Sequence, residues 1–163
     1  MSIDNSVLLA GTPTPFHEER HLYEAQEEEG EDIVRGRVLS RGDEGPQYLQ
    51  LYAAGTQPLA IGNIQKSRTL ILDGIPDHRY ARDGSFIDSI PIEDGLIVRL
   101  EMNEDETIEQ DDLVYGEDGT GLATGAPAAG DIPVGWAVEE VTSPADETSE
   151  IKVRLFKTME AAL

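Results

Sequence analysis

Short runs of β-branched and aromatic residues alternate with Gly, Pro, Asp and Asn turns from residue 32 onward. In Gly95–Met102 and Ile151–Lys157 every second position is apolar. A period of two places alternate side chains on opposite faces of a strand, and many such segments are typical of an antiparallel sandwich or barrel. The predicted strands are Asp32–Arg41, Gln47–Ala53, Leu59–Gln65, Thr69–Leu72, Gly95–Met102, Asp112–Tyr115, Val134–Val141 and Ile151–Lys157. We therefore expect an all-β fold, a compact antiparallel β-barrel, β-tulip or sandwich.

Turn residues separate these strands. Glu93–Gly95 is predicted to be a turn, and the Gly-rich stretch Gly116–Gly121 a hairpin turn, since it has no Lys and no following helix with which to hold a phosphate. The acidic run Asn103–Asp112 lacks the ligand spacing of an EF-hand and is predicted to be a solvated loop.

Residues 1–30 have a different pattern from the rest of the chain. Pro13 and Pro15 precede a highly charged stretch in which apolar residues form no wide helical stripe. We expect an N-terminal arm, extended or partly helical, that is ordered only against a partner. The N-terminus lacks the basic and apolar regions of a secretory signal, and the apolar runs are too short to span a membrane.

An internal repeat divides the β-rich part, residues 31–163. Glu29–Gly36 matches Glu109–Gly116, and further along Ala53–Leu59 matches Ala128–Val134 in the same order. Each copy has an acidic turn before an apolar pair, a Gly, and then a small-residue turn with Pro. We expect two related units, about 29–65 and 108–141, joined by connecting and terminal strands, and the repeat leaves open whether they form one barrel or two lobes.

Charge narrows the possible partners. The chain of 163 residues has 33 Asp and Glu but 12 Lys and Arg, for a formal net charge of −21. Such a surface repels phosphate backbones and anionic lipids, so we expect no direct nucleic-acid or membrane binding. Its acidity and scarcity of Lys are typical of adaptation to molar salt, where charge repulsion is screened. An acidic mesophilic protein or a nucleic-acid mimic is the alternative.

One stretch has the sequence of a zinc-protease motif. His17-Glu18-Glu19-Arg20-His21 reads H-E-x-x-H, which on a helix presents two imidazoles to zinc and a Glu as base. It lies in the arm, without an apolar face to bury, and His78 is the only other His. There is no Cys and no Gly-x-Ser-x-Gly nucleophile motif. We therefore expect no catalytic residue, no metal and no cofactor, with a small zinc hydrolase as an alternative.

The second half of the chain resembles a known family. Its features are Asp111-Asp112-Leu113-Val114, the Gly116–Gly121 hairpin, Pro133–Ala137 and the final alternating run 151–156. In this order they resemble the small β-rich head-decoration (capsid cement) proteins of tailed viruses, well over residues 95–157 and more weakly over 30–65. The resemblance implies a compact β-barrel or β-tulip, a homotrimer on the capsid outer surface, and an arm that reaches along the shell.

These expectations combine into one function. We expect a structural virion protein, made in the host cytoplasm, that decorates and stabilises the icosahedral capsid of a haloarchaeal tailed virus. Its partners would be the major capsid protein and itself, and the predicted interface residues are Phe16 and Leu22 of the arm and Trp136 and Phe156 of the core. The alternatives are a turret, a spike base or a tail-associated β protein, or a non-viral halophilic binding module with a concave aromatic-lined site.

The charge balance makes a testable prediction about stability. Raising KCl from about 0.1 M to about 2 M screens repulsion among the carboxylates and should increase the free energy of unfolding. Urea unfolding followed by circular dichroism at both salt concentrations measures this change. Equal unfolding midpoints at the two concentrations would contradict it.

Overall fold

The computed structural model describes residues 23–25, 35–42, 48–62, 71–72, 75–76, 86–87 and 89–158. Within these ranges the chain is all-β and contains no helix, so none is long and apolar enough to cross a membrane. The strands are β1 Tyr23–Ala25, β2 Val38–Arg41, β3 Tyr48–Leu51, β4 Pro58–Gly62, β5 Ile71–Leu72, β6 Ile75–Pro76, β7 Phe86–Ile87, β8 Ser89–Pro91, β9 Ile97–Met102, β10 Thr107–Ile108, β11 Leu113–Gly116, β12 Ala123–Thr124, β13 Gly135–Ala137, β14 Val141–Thr142 and β15 Ser149–Leu155. The predicted fold class is confirmed.

Two main assemblies of strands organise the described chain. Strands β11, β12, β9, β15 and β13 form a closed barrel in that order, and β7-β1-β3-β2-β4-β8 form a six-stranded sheet. The pairs β10–β14 and β5–β6 form two small sheets. Most pairings are antiparallel, while β12 with β9 and β1 with β3 are parallel. The barrel has no free edge, because β13 pairs with both β11 and β15.

The longest pairing joins the two strands whose alternation was clearest in the sequence. β9 and β15 run antiparallel with six residue pairs in register, from Ser149 opposite Met102 to Arg154 opposite Ile97. Val98 and Leu100 of β9 and Val153 of β15 are buried. The predicted alternation of both strands is confirmed, and these side chains fill the barrel interior.

The barrel and the six-stranded sheet share one apolar core. Val38, Tyr52 and Ile61 belong to the same buried cluster as Leu100 and Val153 of the barrel. Backbone hydrogen bonds also join the two parts: the N–H of Val38 donates to the carbonyl of Gly121 (2.7 Å), and the N–H of Gly119 donates to that of Tyr52 (2.8 Å). A second buried cluster, Leu39, Leu49, Leu51 and Ala60, lies on the sheet itself.

Several predicted boundaries were wrong. The predicted strand Asp32–Arg41 begins only at Val38, because Arg35 and Gly36 form a turn in which Gly36 has φ 78°. The predicted Val134–Val141 is two short strands, β13 and β14, with residues 138–140 between them.

The acidic run 103–112 is not only a loop. Thr107–Ile108 pairs with Val141–Thr142, and the side chain of Ile108 is fully buried in the main core. The hairpin turn at Gly116–Gly121 and the turn at Glu93–Gly95 are present as predicted.

The structure describes the two repeat copies only in part. Arg35 and Gly36 form a turn, whereas the matching Tyr115 and Gly116 end strand β11. The small-residue turns are closer equivalents, since Gly55 (φ 74°) and Gly130 (φ 93°) both adopt the left-handed conformation that favours glycine. The division into two units stays a prediction. Of the arm, the structure describes only Tyr23–Ala25, which is extended as β1.

A buried hydrogen bond connects the end of β3 with the segment that precedes β13. The hydroxyl of Tyr52, fully buried, donates to Oδ1 of Asp131 at 2.9 Å. Oδ1 also accepts from the N–H of Gly55 (3.3 Å), and Oδ2 accepts from the N–H of Ala128 (2.8 Å). The carboxylate of Asp131 is therefore buried but satisfied, as a buried charge must be. Because Asp131 accepts from Gly55, it also links the two small-residue turns.

The same contact affects the ionisation of two tyrosines. Burial, and then the hydrogen bond to Asp131, raise the pKa of Tyr52 to about 12. Burial, together with the charge of Asp131, also raises the pKa of Tyr115. The raised pKa of Tyr52 means that the folded state favours the neutral phenol. This contribution to stability is complete below the ordinary value of 10.0 and is lost as the pH rises toward about 12.

Removing the Tyr52 hydroxyl tests this connection. Tyr52→Phe should lower the free energy of unfolding by about 1–3 kcal/mol, since Asp131 then loses a hydrogen-bond donor inside the core. Tyr115→Phe is the matched control, because its hydroxyl makes no hydrogen bond to any residue that the structure describes, and it should change stability by less than about 0.5 kcal/mol. Urea unfolding at pH 7 and pH 11 measures the free energy of unfolding of both variants. Equal losses for the two variants would contradict the role assigned to Tyr52.

Candidate interaction surface

Four residues form a row across the outer wall of the barrel. Leu113 lies opposite Trp136, Trp136 opposite Arg154, and Arg154 opposite Ile97 in the registers of the four consecutive strands. Neighbouring residues in such a register lie on the same face with Cβ atoms about 5 Å apart. The flanking positions point the other way, since Ala137, Val153 and Val98 are buried. We call Leu113, Trp136, Arg154 and Ile97 the outer row.

Trp136 has the most exposed of the large apolar side chains in the outer row. It is 47% exposed, and its ring packs against that of Phe156 with centroids 5.4 Å apart and planes tilted by 50°. No other large hydrophobic side chain of the described residues is exposed. Covering the rest of the indole would contribute about 3 kcal/mol. An exposed Trp beside an Arg is the composition found at the centres of protein interfaces.

A shallow groove runs beside Trp136. It has a volume of about 360 Å³ and is lined by Gln110, Asp111, Trp136, Ala137, Val138 and Arg154. Asp111 is held at one side by its backbone, since its N–H donates to the carbonyl of Ala137 at 2.9 Å and its φ is 68°. Arg154 lies at the other side, on β15. The groove therefore has a carboxylate on one side of the indole and a guanidinium on the other.

Cations of the described chain concentrate near the outer face of β9 and β15. Arg35 and Arg99 (3.7 Å) both pair with Glu150. Two further pairs, Arg37 with Glu101 (2.9 Å) and Lys152 with Glu139 (3.0 Å), lie close by. Arg154 makes no ion pair with a described residue, although it lies on the same strand as Lys152. Within the described part of the chain it is a cation without a partner, on a strongly acidic protein.

Gly135 fixes the position of the strand that carries Trp136. A Cβ at this glycine would lie 2.3 Å from the carbonyl oxygen of Arg154 and 2.6 Å from Cγ1 of Val153. Real side chains do not approach backbone so closely, so only glycine allows β13 to lie this near β15. The close approach keeps Trp136 and Arg154 side by side on the outer face.

The structure brings together two of the four predicted interface residues. Trp136 and Phe156 are in contact on the barrel, and Phe16 and Leu22 lie outside the described residues. Arg154 and Asp111 were not predicted as site residues. The alternation of Ile151, Val153 and Leu155 could have located Arg154, since it places residue 154 on the outer face.

The alternative zinc site also lies outside the described ranges. His17, Glu18, His21 and His78 all belong to segments that the structure does not describe. Among the residues it does describe, no group of three or more His, Asp or Glu side chains is placed to hold a metal ion. The zinc hydrolase is therefore neither supported nor contradicted.

Comparison with known proteins finds a similarity among the solved structures. No family model matches the chain, and no curated protein matches it. Among solved structures, the chain is similar to the head fiber gp8.5 N base in bacteriophage phi29, with 14% identity and a TM-score of 0.45. That likeness covers 87% of this chain and 95% of the other.

Gly135→Ala should destabilise the barrel. The methyl group collides with the backbone of β15, and we expect a loss of about 1–3 kcal/mol in the free energy of unfolding together with a change in Trp136 fluorescence. Gly125→Ala is the matched control, since its Cβ would lie 3.5 Å from Ile108, an ordinary contact. Urea unfolding followed by tryptophan fluorescence compares them. A Gly135→Ala variant as stable as the control would show that the barrel wall is not packed this closely.

Proposed function

We propose that this protein is a structural component of a tailed-virus particle, and that it decorates and stabilises the capsid from the outside. It would do so through self-association, as the homotrimer that the resemblance implies, and through contacts of residues 1–30 with the major capsid protein. The observation that carries the proposal is the outer row, in which the exposed Trp136 and Arg154, which has no ion-pair partner among the described residues, lie side by side on a closed barrel.

The position of the barrel in the sequence supports this proposal. The resemblance to head-decoration proteins is strongest over residues 95–157, and the strands of the barrel lie within 97–155. The segment that resembles those proteins is therefore the one that forms a β-barrel. The barrel also carries Trp136 and Phe156, which were predicted as interface residues.

The physical properties of the described chain also fit such a role. The closed barrel presents no unpaired strand edge, so copies that pack barrel against barrel do not join edge to edge. Many weak contacts, repeated over the copies on one particle, add up to firm attachment. An acidic surface keeps a particle soluble in the molar salt of a haloarchaeal setting.

A halophilic binding module is the second candidate. It is favoured by the groove of about 360 Å³ beside Trp136, a concave site lined in part by an aromatic side chain. Such a module has no reason to be part of a particle, so its location distinguishes the two functions.

Fractionation of the source culture tests the proposed location. Particles are separated on a density gradient in molar salt, and the chain is quantified by mass spectrometry in each band. We expect it in the particle band at a copy number close to that of the major shell protein. A low copy number there would overturn decoration in favour of a turret, spike base or tail part, and a chain found only in the soluble cell fraction would overturn the viral function.

Chemical cross-linking of the particle tests the proposed role of the arm. A dihydrazide reagent that joins carboxylates suits this chain, because it has 33 Asp and Glu but Lys only at 66, 152 and 157. We expect cross-links from Glu18, Glu19 and Glu27 to the major shell protein. Cross-links to that protein only from the barrel, for example from Glu139 or Glu140, would contradict an arm-mediated attachment.

A further inference from the structure

The groove beside Trp136 has opposite charges on its two sides. The strand order β11-β13-β15 places Trp136 in the middle, with Asp111 just before β11 on one side and Arg154 on β15 on the other. Neither Asp111 nor Arg154 has an ion-pair partner among the described residues, although both are exposed. A partner that fits this groove therefore offers an apolar surface between a cation and a carboxylate.

We propose that the partner is a second copy of this chain, with Arg154 of one copy against Asp111 of the next and Trp136 beside this ion pair. The inference rests on the proposed function and names the surface of its self-association. In the proposed arrangement each interface makes this contact once, from the basic side of one copy to the acidic side of its neighbour; such a contact is heterologous, and heterologous contacts close into a ring when the rotation permits. A ring of three copies brings the three Trp136 side chains toward its axis.

Charge complementarity favours a second copy of the chain as the partner at this groove. Two copies that each carry a formal charge of −21 repel over most of their surfaces. Five of the described cations, Arg35, Arg37, Arg99, Lys152 and Arg154, lie on or beside the outer face of β9 and β15. Four of these five are paired within the chain, and Arg154 has no ion-pair partner among the residues that the structure describes, so it can attract a carboxylate of another copy. The acidic turn that contains Asp111 supplies one on every copy.

Exposed apolar area supports the same occupant. The indole of Trp136 is 47% exposed and already packs against Phe156, so a neighbouring copy would cover an existing aromatic pair. The outer row adds Leu113 and Ile97, both half-buried, on the two flanking strands. Protein interfaces with a desolvated core often have this arrangement, in which an aromatic side chain at the centre is flanked by charged residues.

Charge reversal in the full-length chain tests the contact. Arg154→Glu and Asp111→Arg each place like charges together, and each should weaken self-association by more than about tenfold. The double variant Arg154→Glu/Asp111→Arg restores opposite charges and should recover the wild-type association. Sedimentation velocity at moderate and molar KCl measures the oligomer, and circular dichroism confirms that each variant is folded. Arg154→Gln is a milder variant, for which an intermediate loss is expected.

Arg41→Glu is the matched control. Arg41 is exposed at the end of β2, outside the barrel, and its reversal changes the net charge by the same amount as Arg154→Glu. It should leave the oligomer unchanged. Association reduced equally by Arg41→Glu and Arg154→Glu would overturn the specific contact in favour of a general charge effect.

Three other results would overturn the inference. They are a wild-type chain that is monomeric at every concentration, a double variant as weak as the single ones, and a two-fold pair instead of a ring. A two-fold pair is recognised because an equimolar mixture of the two single variants then recovers association fully, whereas a ring of three always keeps one mismatched contact. The particle fractionation is independent, so a chain found in particles but monomeric in solution refutes this inference and leaves the proposed location on the particle standing.

Discussion

The hydrogen bond from Tyr52 to Asp131 holds the two halves of the molecule in one arrangement. Tyr52 follows the last residue of β3 in the six-stranded sheet, and Asp131 precedes β13 of the barrel. Around this bond the tyrosine ring packs against Gly116, where a Cβ would lie 2.9 Å from the ring. A fully hydrogen-bonded buried carboxylate has few alternative positions, because any displacement leaves a charge unpaired in the core. Together with the shared core and the backbone hydrogen bonds of Val38 and Gly119, this contact orients the barrel wall, and with it the outer row, relative to the sheet.

The part of the fold that could be predicted from sequence is the part with long periodic strands. β9 and β15 alternate over six and seven residues, so local pattern was sufficient to locate them and their buried faces. β10, β12 and β14 each have only two residues. They are strands because a partner strand pairs with them, and the presence of a partner cannot be recognised from the local sequence pattern. The predicted strand 32–41 begins late, at Val38, because the left-handed backbone of Gly36 belongs to a turn that precedes it.

The candidate surface was also predictable in part. Trp136 was selected as the single Trp, and its outward direction follows from the small buried residues Gly135 and Ala137 on either side. Asp111 could not be singled out, since a chain with 33 acids gives no local signal for any one carboxylate. The same holds for Asp131, whose burial is a property of the folded molecule. In an acidic chain the few cations are more informative about a binding surface than the many carboxylates are, and Arg154 is the clearest example.

The closed barrel has a consequence for how the chain folds. Its first strand, β9, pairs with its last, β15, so the ring cannot close until residues near Leu155 have been made and have returned across the intervening strands. Contacts between such distant segments form slowly, because the entropy of closing the loop is lost before the contact is gained. During that delay β9 and β13 each present an open edge, the condition in which β proteins aggregate. The carboxylates of the nascent chain repel other copies during this interval. The negative charge that destabilises the folded state therefore also reduces aggregation of the incompletely folded chain.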